Sequence, residues 1–385
     1  MIVLHVSTGL STGGAERTLR NLVVNDLSNA HVVVSLTTLG SQGFLLQKNG
    51  TKVIALDLPK SFRGFFTGIK SLRHIIRDLR PDVVQTWMYH SDLIGGLAAL
   101  LAGTRQIAWN IRASAPREAS GGISASLLRG VVAILSWIIP RTIITCSSTA
   151  IEEHVAIGYR KSIFRFIPNG FDSNLWIQRP DDKPTLRSKI GASPGDLLVG
   201  LVARFDPQKN HSQFLTSANQ LIQEGFKIHV VLVGSGAALT NQNFLELVRK
   251  TKFPLNRLSA LGEQEEIPRI MGALDLLTLP SSYGEGFPNV LAESMLCETP
   301  CIASDSGDSA SIIGDTGWVY DRNAPGLLTE NLAAALRESQ DIREKRGLES
   351  RKRILKSFPL KQMVDQYSEH FSSLSLACEP AKPAK

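Results

Sequence analysis

Short hydrophobic runs alternate along the chain with longer stretches whose hydrophobic residues recur at helical spacing. This alternation is typical of α/β domains, in which a helix connects each strand to the next parallel strand. Strands are predicted in the first half at Ile2–Ser7, His31–Thr37, Lys52–Asp57, Asp82–Thr86, Gln106–Asn110, Thr142–Thr145 and Ile163–Ile167. We therefore expect one Rossmann-like domain over residues 1–177.

A polar segment, residues 178–184, has the composition of a linker between domains. Strands are then predicted at Leu197–Ala203, Lys227–Val233, Leu258–Leu261, Leu274–Leu279 and Cys301–Ala303, and helices at Leu328–Arg337, Asp341–Leu355 and Leu360–Phe371. The pattern predicts a second Rossmann-like domain over 178–358, so that two doubly wound parallel sheets form the fold. We expect a C-terminal helix over 359–377 to pack back on the first domain and 378–385 to be a loose tail.

Composition narrows the class of protein. The chain has 385 residues, of which 43% are hydrophobic and 20% charged, as is usual for a globular protein. Its scattered cysteines, which lack metal-site spacing, indicate reduced thiols in a cytosolic protein: Cys146, Cys297, Cys301 and Cys378. Met1–Val6 is predicted to be a strand rather than a secretory signal, and the most hydrophobic segment, Gly130–Pro140, is too short to span a membrane.

Positive charge is concentrated in the first domain. Residues 1–177 contain 18 Lys and Arg against 10 Asp and Glu, whereas the remaining residues contain 24 against 25. The aromatic segment Phe62–Phe66 precedes a helix that carries the basic residues Lys70, Arg73, Arg77 and Arg80. This combination fits a helix on an anionic membrane surface and an ordinary solvated helix face equally well. No nucleic-acid motif accompanies the charge, so we expect no nucleic-acid partner.

The segment Pro280–Leu296 combines a glycine loop with a helix and follows a predicted buried strand. Such a loop opens at the carboxyl end of a parallel strand, where open α/β sheets bind ligands. Glu285 in the loop and Glu293 on the helix can therefore reach one polar ligand. An acid near a helix N-terminus or on a helix face is also common in a purely structural role.

Two other loops suit an anionic ligand. The loop after the first strand contains paired glycines, of which Gly14 would let a ligand approach a helix N-terminus. It lacks the G-x-G-x-x-G register of a dinucleotide site, and it fits a tight turn equally well. In the second domain, Arg204 leaves a strand and Lys209 is predicted in the first turn of the next helix, where a cation opposes the helix dipole. A bound diphosphate would explain both cations.

These motifs and their order resemble those of the retaining glycosyltransferases of family 4. The motifs are G-G-A-E near the N-terminus, P-N-G-F-D at mid-chain, A-R-F-x-P-x-K-N, V-G-S-G, and E-G-F-P-N-V-L-A-E followed by P-C-I-A-S-D-S-G. They cover nearly the whole chain. The resemblance implies the GT-B arrangement, in which two Rossmann-like domains face a cleft and the second binds most of a nucleotide-sugar donor.

The resemblance also implies roles for individual residues. Arg204 and Lys209 resemble the pair that neutralises the donor diphosphate, and Glu285 resembles the acid that contacts the donor sugar. Glu293 resembles the acid that holds the ribose hydroxyls. Gly14 would approach the donor from the first domain. Backbone groups of the segment after Glu285 would bind the sugar and phosphates; its residues are Gly286, Phe287, Pro288, Asn289 and Val290.

Candidate residues of the first domain are less specific. His90 follows a predicted strand on the side of the presumed cleft, where it would hydrogen-bond the sugar or the acceptor, although a lone histidine is as often structural. Asn110 and Arg112, after the next strand, are candidates for the acceptor side. With Glu285, Arg204 and Lys209, His90 completes the predicted catalytic set. Two positions depart from the family pattern: the acidic segment 263–266 stands where a basic residue is commoner, and Ser294 replaces Ala.

Charge defines the expected chemistry. The two cations and the helix N-termini would stabilise the leaving diphosphate without a metal, and no D-x-D sequence occurs in the chain. We expect neither a metal nor another cofactor. The sequence thus favours a retaining transferase that moves a hexose or N-acetylhexosamine from a nucleotide-diphospho-sugar, UDP-linked, to a lipid-linked or cell-surface saccharide. It would act at the cytoplasmic face of a bacterial membrane. A nucleotide-sugar 2-epimerase and a non-catalytic nucleotide-sugar-binding protein remain alternatives.

Overall fold

The computed structural model describes residues 1–11, 13–114 and 122–376, which form two compact units. The first unit consists of Met1–Gly170 and the segment that starts at Leu360, and the second consists of Phe171–Pro359. Residue 377 and the predicted tail, 378–385, lie outside the described residues.

The first unit is built on a parallel sheet. Its strands are β1 (Ile2–Ser7), β2 (Ala30–Ser35), β3 (Lys52–Ala55), β4 (Val83–Trp87), β5 (Ile107–Ile111), β6 (Thr142–Thr145) and β7 (Phe164–Phe166). They lie in the order β3-β2-β1-β4-β5-β6-β7. β4 and β5 are buried along their whole length, so neither shows the strict alternation of hydrophobic and polar residues that a half-exposed strand has.

Helices connect and cover these strands. They are α1 (Gly14–Asn25), α2 (Gly40–Lys48), α3 (Phe62–Leu79), α4 (Tyr89–Ala102), α5 (Gly122–Leu135), α6 (Ser148–Ala156) and, at the far end of the chain, α15 (Leu360–Leu376). Along α15, Met363, Tyr367 and Phe371 point into the core that β1, β4 and α1 share. Their helical spacing therefore reflects core packing, with α15 as part of the first unit.

The second unit repeats the architecture. Its strands are β8 (Leu197–Val202), β9 (Ile228–Val233), β10 (Leu258–Ala260), β11 (Leu276–Leu279), β12 (Cys301–Ser304) and β13 (Trp318–Tyr320), in the order β10-β9-β8-β11-β12-β13. Its helices are α7 (Asp182–Ile190), α8 (His211–Gln223), α9 (Gln242–Lys250), α10 (Ile267–Ala273), α11 (Asn289–Leu296), α12 (Ser309–Ile313), α13 (Gly326–Arg337) and α14 (Gln340–Ser357). Every strand ladder in both sheets is parallel. The predicted fold class is confirmed.

The units divide after Gly170, seven residues before the boundary predicted from the polar linker. Hydrogen bonds explain the difference. The N–H of Phe171 donates to the carbonyl of Phe358 at 3.0 Å. Arg351 of α14 donates to the carbonyls of Ser173 and Trp176. These bonds attach residues 171–176 to the second unit.

Candidate active site

The candidate site of the second unit lies at the carboxyl edge of its sheet. β8 and β11 are neighbours at its centre; β9 and β10 lie beyond β8, and β12 and β13 lie beyond β11. Such a reversal of strand order is the switch point at which open α/β sheets form a ligand-binding crevice. The loop that begins at Ala203 follows β8, and the loop that begins at Pro280 follows β11.

An ion pair joins these two loops. Nζ of Lys209 lies 2.5 Å from Oε1 of Glu285, and both side chains are largely buried. The same oxygen accepts a hydrogen bond from Oγ of Ser281 at 2.6 Å. The carbonyl of Ser281 accepts in turn from Oγ of Ser304, the last residue of β12. Glu285 is therefore held by a cation, by a hydroxyl and, through Ser281, by the neighbouring strand.

Local capping brings Lys209 to this position. Residues Pro207–Lys209 form a short 3-10 turn, which begins where the Asp206 carboxylate accepts from the N–H of Gln208 at 2.9 Å. Asn210 then adopts a left-handed conformation with φ of 50°, and α8 begins only at His211. The prediction that Lys209 lies in the first turn of a helix is therefore wrong. The sequence predicts that a bound anion balances the charge of Lys209, whereas in this structure Glu285 balances it.

Arg204 belongs to the same loop but remains 59% exposed at its side chain. Its Nε donates to Asp206 at 3.2 Å and its Nη2 donates to Oε1 of Gln208 at 3.1 Å. Burial opposes ionisation of Asp206, but the N–H of Gln208 and the charge of Arg204 together lower the pKa of its carboxyl. The guanidinium is thus oriented in advance, with donors of the geometry that suits phosphate oxygens.

Two glycines fix the backbone around Glu285. Gly284 has φ of 76°. Gly307, after β12, has φ of 60°, and a Cβ atom there would lie 2.3 Å from the carbonyl oxygen of Gly286 and 2.5 Å from that of Glu285. The N–H of Asp308 donates to the same Gly286 carbonyl at 2.9 Å. The loop after β12 therefore packs directly on the Glu285 backbone and leaves no room for a side chain.

Phe287 belongs to the core of the second unit. Its ring stacks on Phe171 with centroids 6.0 Å apart and meets the edge of Phe358 at 5.2 Å. Its side chain is 7% exposed. Any contact of Phe287 with a ligand would therefore involve its backbone, as the sequence predicts.

The remaining predicted donor residues lie at the start of α11. Pro288 occupies the cap position and supplies no capping side chain, and Asn289 and Val290 form the first turn. The first N–H groups of a helix have no acceptor within the helix and carry the positive end of its dipole, which favours an anion. Glu293, one turn further, is buried.

In the first unit, Gly14 and His90 lie at the carboxyl edge of the sheet. Gly14 is the first residue of α1, which follows β1, and His90 is the second residue of α4, which follows β4. Oγ1 of Thr8 lies 3.0 Å from Oγ of Ser91, so the two loops touch. Desolvation lowers the pKa of His90, and the nearby charge of Lys60 lowers it further. The imidazole is therefore neutral near pH 7.

The backbone immediately before His90 is strained. Met88 has φ of 70° and ψ of 160°, a conformation almost confined to glycine. Its N–H donates to the carbonyl of Asn110 at 3.0 Å, and its Sδ accepts from the N–H of Arg112 at 3.4 Å. Contacts with β5 and the residue after it thus hold the strained turn that places His90.

Asn110 and Arg112 share a partner on α15. Nδ2 of Asn110 donates to Oη of Tyr367 at 2.8 Å, and Nη1 of Arg112 donates to the same oxygen at 3.1 Å. Asn110 is fully buried, whereas Arg112 lies with its guanidinium 5.9 Å from the ring centroid of Trp87. The predicted acceptor role of Asn110 and Arg112 stays a prediction. In this structure they connect β5 to α15.

Four residues that shape these sites are not among the candidates predicted from the sequence: Gln208, Ser281, Met88 and Tyr367. Ser281 stands in the P-S-S-Y segment before the glycine loop, and its position directly after a buried strand is a signal that could have identified it. The strained backbone of Met88 could not be predicted, because a positive φ is expected from the sequence mainly at glycine. Within the described ranges, no group of three or more His, Cys, Asp or Glu side chains is arranged to hold a metal ion.

Comparison with known families decides the class of protein. Residues 182–353 match the family described as Glycosyl transferases group 1, and residues 12–175 match the one described as Glycosyltransferase Family 4. The chain belongs to these glycosyltransferases. The predicted resemblance and enzyme class are confirmed.

Individual relatives of this glycosyltransferase cover different parts of it. The putative glycosyltransferase EpsF of Bacillus subtilis is 26% identical over 79% of this chain and 79% of its own length. A UDP-Gal:alpha-D-GlcNAc-diphosphoundecaprenol alpha-1,3-galactosyltransferase of Escherichia coli is 28% identical over 61% of this chain and 60% of its own length. A D-inositol 3-phosphate glycosyltransferase of Rhodococcus erythropolis is 31% identical, but the match spans only 43% of this chain and 38% of that protein.

Solved structures agree on the fold of this glycosyltransferase. Anabaena Alr3699/HepE, crystallised with UDP and glucose, is 21% identical and superposes with a TM-score of 0.82 over 97% of this chain and 100% of its own. The sucrose-phosphate synthase of Thermosynechococcus elongatus is 16% identical, with a TM-score of 0.80 over 98% of this chain and 99% of its own. Both likenesses concern the fold.

Proposed function

We propose that this glycosyltransferase moves a hexose or N-acetylhexosamine from a UDP-sugar to a lipid-linked saccharide, with retention of configuration and without a metal. The observation that carries the proposal is the Lys209–Glu285 ion pair at the switch point of the second sheet, with Arg204 on the same loop. A nucleotide sugar offers a partner for each charge: the diphosphate for the cations and the sugar hydroxyls for the carboxylate. The second unit would thus bind the donor, and the first the acceptor.

In the proposed reaction, the bond between the anomeric carbon and the leaving diphosphate oxygen breaks as the acceptor oxygen attacks from the same face. The electron pair of that bond stays on the diphosphate, where Arg204, Lys209 and the first turn of α11 stabilise it. The acceptor hydroxyl proton passes to the leaving phosphate oxygen. Glu285 would orient the sugar, and Glu293 would hold the ribose. Neutral His90 would hydrogen-bond the sugar or the acceptor.

Donor binding would exchange ionic partners within the site. As the diphosphate reaches Lys209, the ammonium group would leave the Glu285 carboxylate, which then becomes available to a sugar hydroxyl. Ser281 would keep that carboxylate oriented during the exchange, because its hydroxyl donates to the same oxygen. The HepE structures that contain UDP and glucose or UDP-glucose support a uridine donor by analogy.

Two further features support the proposed acceptor class. The E. coli relative, named for transfer to GlcNAc-diphosphoundecaprenol, acts on a lipid-linked saccharide. The N-terminal part of α3 also exposes Phe62 and Phe66 beside Arg63, which suits an anionic membrane surface. Both features support the proposal that the enzyme acts at the cytoplasmic face of the membrane, in the synthesis of a bacterial surface glycan. Within the described part of the chain, no helix is long and apolar enough to cross a bilayer.

A panel of UDP-, GDP- and ADP-sugars in a thermal-shift assay tests the donor. A UDP-sugar should raise the melting temperature, since a ligand that binds the folded state stabilises it. Lys209→Met should abolish the response, whereas Lys250→Met, on α9, should retain it. A response to none of the panel would refute the donor assignment.

Product analysis separates the two alternatives. An epimerase would release an altered free sugar in the absence of any acceptor, and a binding protein would form no product at all. Matches to transferase families favour neither of them. Transfer to a GlcNAc-diphospholipid, with retained anomeric configuration in the NMR spectrum of the product and full activity in EDTA, is the expected result.

A further inference from the structure

One face of α5 and of the turn after it presents hydrophobic side chains to solvent. Leu127, Ile134 and Ile138 are 68%, 69% and 69% exposed, and Val131 is exposed between them. These four residues follow one another at intervals of four, three and four positions, so that they share one helical face. Helical hydrogen bonds continue past the end of α5, because the N–H of Ile139 donates to the carbonyl of Leu135 at 2.9 Å. We call these four residues and Trp137 the α5 stripe.

The stripe is not an extension of the core. The inward face of the same helix is already packed, since Val132 and Ala133 are buried in the cluster that contains β4 and β5. Trp137 is 59% exposed, and its indole N–H donates to the carbonyl of Gly158 at 3.0 Å, which fixes the ring at the end of the stripe. A contiguous exposed hydrophobic face of this kind marks an interaction surface.

Cations lie near the C-terminal end of the stripe. Arg141 lies three residues after Ile138, and Lys161 lies three residues after Gly158, whose carbonyl accepts the Trp137 hydrogen bond. α4, which packs against α5, ends near Arg105, and Arg73 of α3 donates to the carbonyl of Leu101 on α4 at 3.0 Å. Over residues 60–105 and 126–141, the exposed carboxylates are Asp78 and Asp82. The exposed cations of the same ranges are Lys60, Arg63, Lys70, Arg73, Arg77, Arg80, Arg105 and Arg141.

We propose that the α5 stripe inserts into the headgroup and acyl boundary of an anionic lipid bilayer, with the surrounding arginines and lysines bound to lipid phosphates. The inference rests on the proposed action at a membrane and names the element that enters it. Aliphatic side chains on one face, a tryptophan at the end and a cationic border are the components of an interfacial helix. The stripe thus enters the bilayer, and the basic residues of α3 add positive charge at its surface.

Charge also argues against a second copy of this chain as the occupant. A two-fold symmetric contact through the stripe would bring the same surface of both copies together. The cations of one copy, Arg105, Arg141 and Lys161, would then lie near their equivalents in the other, and in the described ranges 60–105 and 126–141 exposed carboxylates occur only at Asp78 and Asp82. Anionic lipid instead supplies the opposite charge and an apolar phase at once.

Cosedimentation of the full-length protein with lipid vesicles tests the proposal. The wild type should bind phosphatidylglycerol-containing vesicles more tightly than pure phosphatidylcholine vesicles. Leu127→Gln/Ile134→Gln/Ile138→Gln should weaken binding by at least about tenfold, because three aliphatic side chains no longer leave water. The matched control is Leu27→Gln/Phe44→Gln/Leu45→Gln, which removes exposed hydrophobic residues from α2 and the turn after α1. It should bind as the wild type does.

Two further measurements use proteins that keep the four aliphatic side chains of the stripe. Brominated lipids should quench tryptophan emission of the wild type, and Trp137→Phe should remove that quenching. Arg105→Gln/Arg141→Gln/Lys161→Gln should reduce the preference for phosphatidylglycerol and the salt dependence of binding. Quenching that persists in Trp137→Phe, or an unchanged lipid preference in the charge variant, would overturn the proposed orientation.

The donor assay separates this proposal from the proposed function. The stripe variant should keep the UDP-sugar thermal shift while it loses vesicle binding. A wild type that responds to donor but does not bind the vesicles would refute the stripe alone, whereas vesicle binding without any donor response would refute the donor alone. Light scattering tests the remaining possibility. If the wild type is a dimer, the stripe variant is a monomer and both bind vesicles equally well, the stripe is instead an interface between copies.

Discussion

Replacement of Glu285 by Gln removes the negative charge that balances Lys209 in the ligand-free enzyme. The amide keeps the size of the side chain and can still accept from Ser281. Lys209, however, would retain a positive charge on a side chain that is only 15% exposed. Loss of one member of a buried pair costs about 3–5 kcal/mol when the remaining charge has no other contact. Because the carbonyl of the new amide still accepts from the ammonium group, we expect a loss of about 2 kcal/mol.

The same substitution should affect ligand binding in the opposite direction. In the wild type, UDP must draw Lys209 away from the Glu285 carboxylate, whereas in Glu285→Gln only a neutral amide holds the ammonium group. If that competition is worth about 1 kcal/mol, UDP should bind roughly fivefold more tightly to the variant. Sugar transfer should nevertheless fall by roughly 100-fold or more, because the carboxylate that orients the sugar is gone.

Urea denaturation, UDP titration calorimetry and a transfer assay measure the three effects. The matched control is Glu349→Gln, which removes an exposed pair with Lys352 at 3.1 Å and should change stability by less than about 0.5 kcal/mol. Weaker UDP binding by Glu285→Gln than by the wild type would refute the idea that the carboxylate and the diphosphate compete for Lys209. Unchanged stability would show that Lys209 does not depend on Glu285 in the ligand-free enzyme.

Other substitutions test the surroundings of both sites. Tyr367→Phe leaves the buried Asn110 amide without its acceptor and should lower the free energy of unfolding by about 1–3 kcal/mol in urea titrations. Gly307→Ala should displace the Glu285 loop and abolish the UDP-sugar thermal shift, because the new Cβ would lie 2.3 Å from a backbone oxygen. Burial lowers the pKa of His211 to about 4, so its contribution to stability is lost as pH falls from about 6.5 to 4. Over that pH range, the free energy of unfolding of His211→Phe should therefore fall by about 3 kcal/mol less than that of the wild type, as measured by urea titration at each pH.

Matched variants define what would contradict these predictions. Tyr320→Phe removes a buried hydroxyl that has no hydrogen-bond partner among the described residues and should not destabilise the protein. Equal losses of stability in Tyr320→Phe and Tyr367→Phe would show that the hydrogen bonds of Tyr367 do not stabilise the fold. Gly191→Ala has a similar positive φ, 64°, but open space around the new Cβ. It should retain the donor response. A pH profile of His211→Phe parallel to that of the wild type would show that His211 does not titrate in this window.

Strands that are buried on both faces could be predicted because they are rich in hydrophobic residues. β1 and β6 have the predicted bounds, and β7 lies within the predicted segment. β13 was missed, since its three residues, Trp318–Tyr320, are too few to form a run and gain their strand character only by pairing with β12. The boundary after Gly170 depends on hydrogen bonds to α14, which begins 170 residues later and leaves no local pattern.

The sequence identified the charged residues of the candidate site but not their pairing. Lys209 and Glu285 are 76 positions apart, and their contact follows from the paths of two loops across a sheet edge. A cation at a helix N-terminus opposes the helix dipole, so an anion is expected near Lys209. The sequence does not show that a protein carboxylate provides this anion before any ligand binds. Likewise, the sequence places Asn110 at the end of a predicted strand and does not indicate what its side chain contacts. Its burial depends on Tyr367, 257 positions away.

The place of α15 in the first unit has a consequence for synthesis of the protein. A ribosome releases the chain from its N-terminus, so residues 1–170 emerge long before the helix that covers part of their core. Until then, the surface that Met363, Tyr367 and Phe371 will occupy, around Leu19, Leu22 and Trp87, stays exposed to water and to chaperones. The second unit has all its strands in one continuous segment and can complete its fold first. The first unit should therefore begin to fold before the second but finish after it.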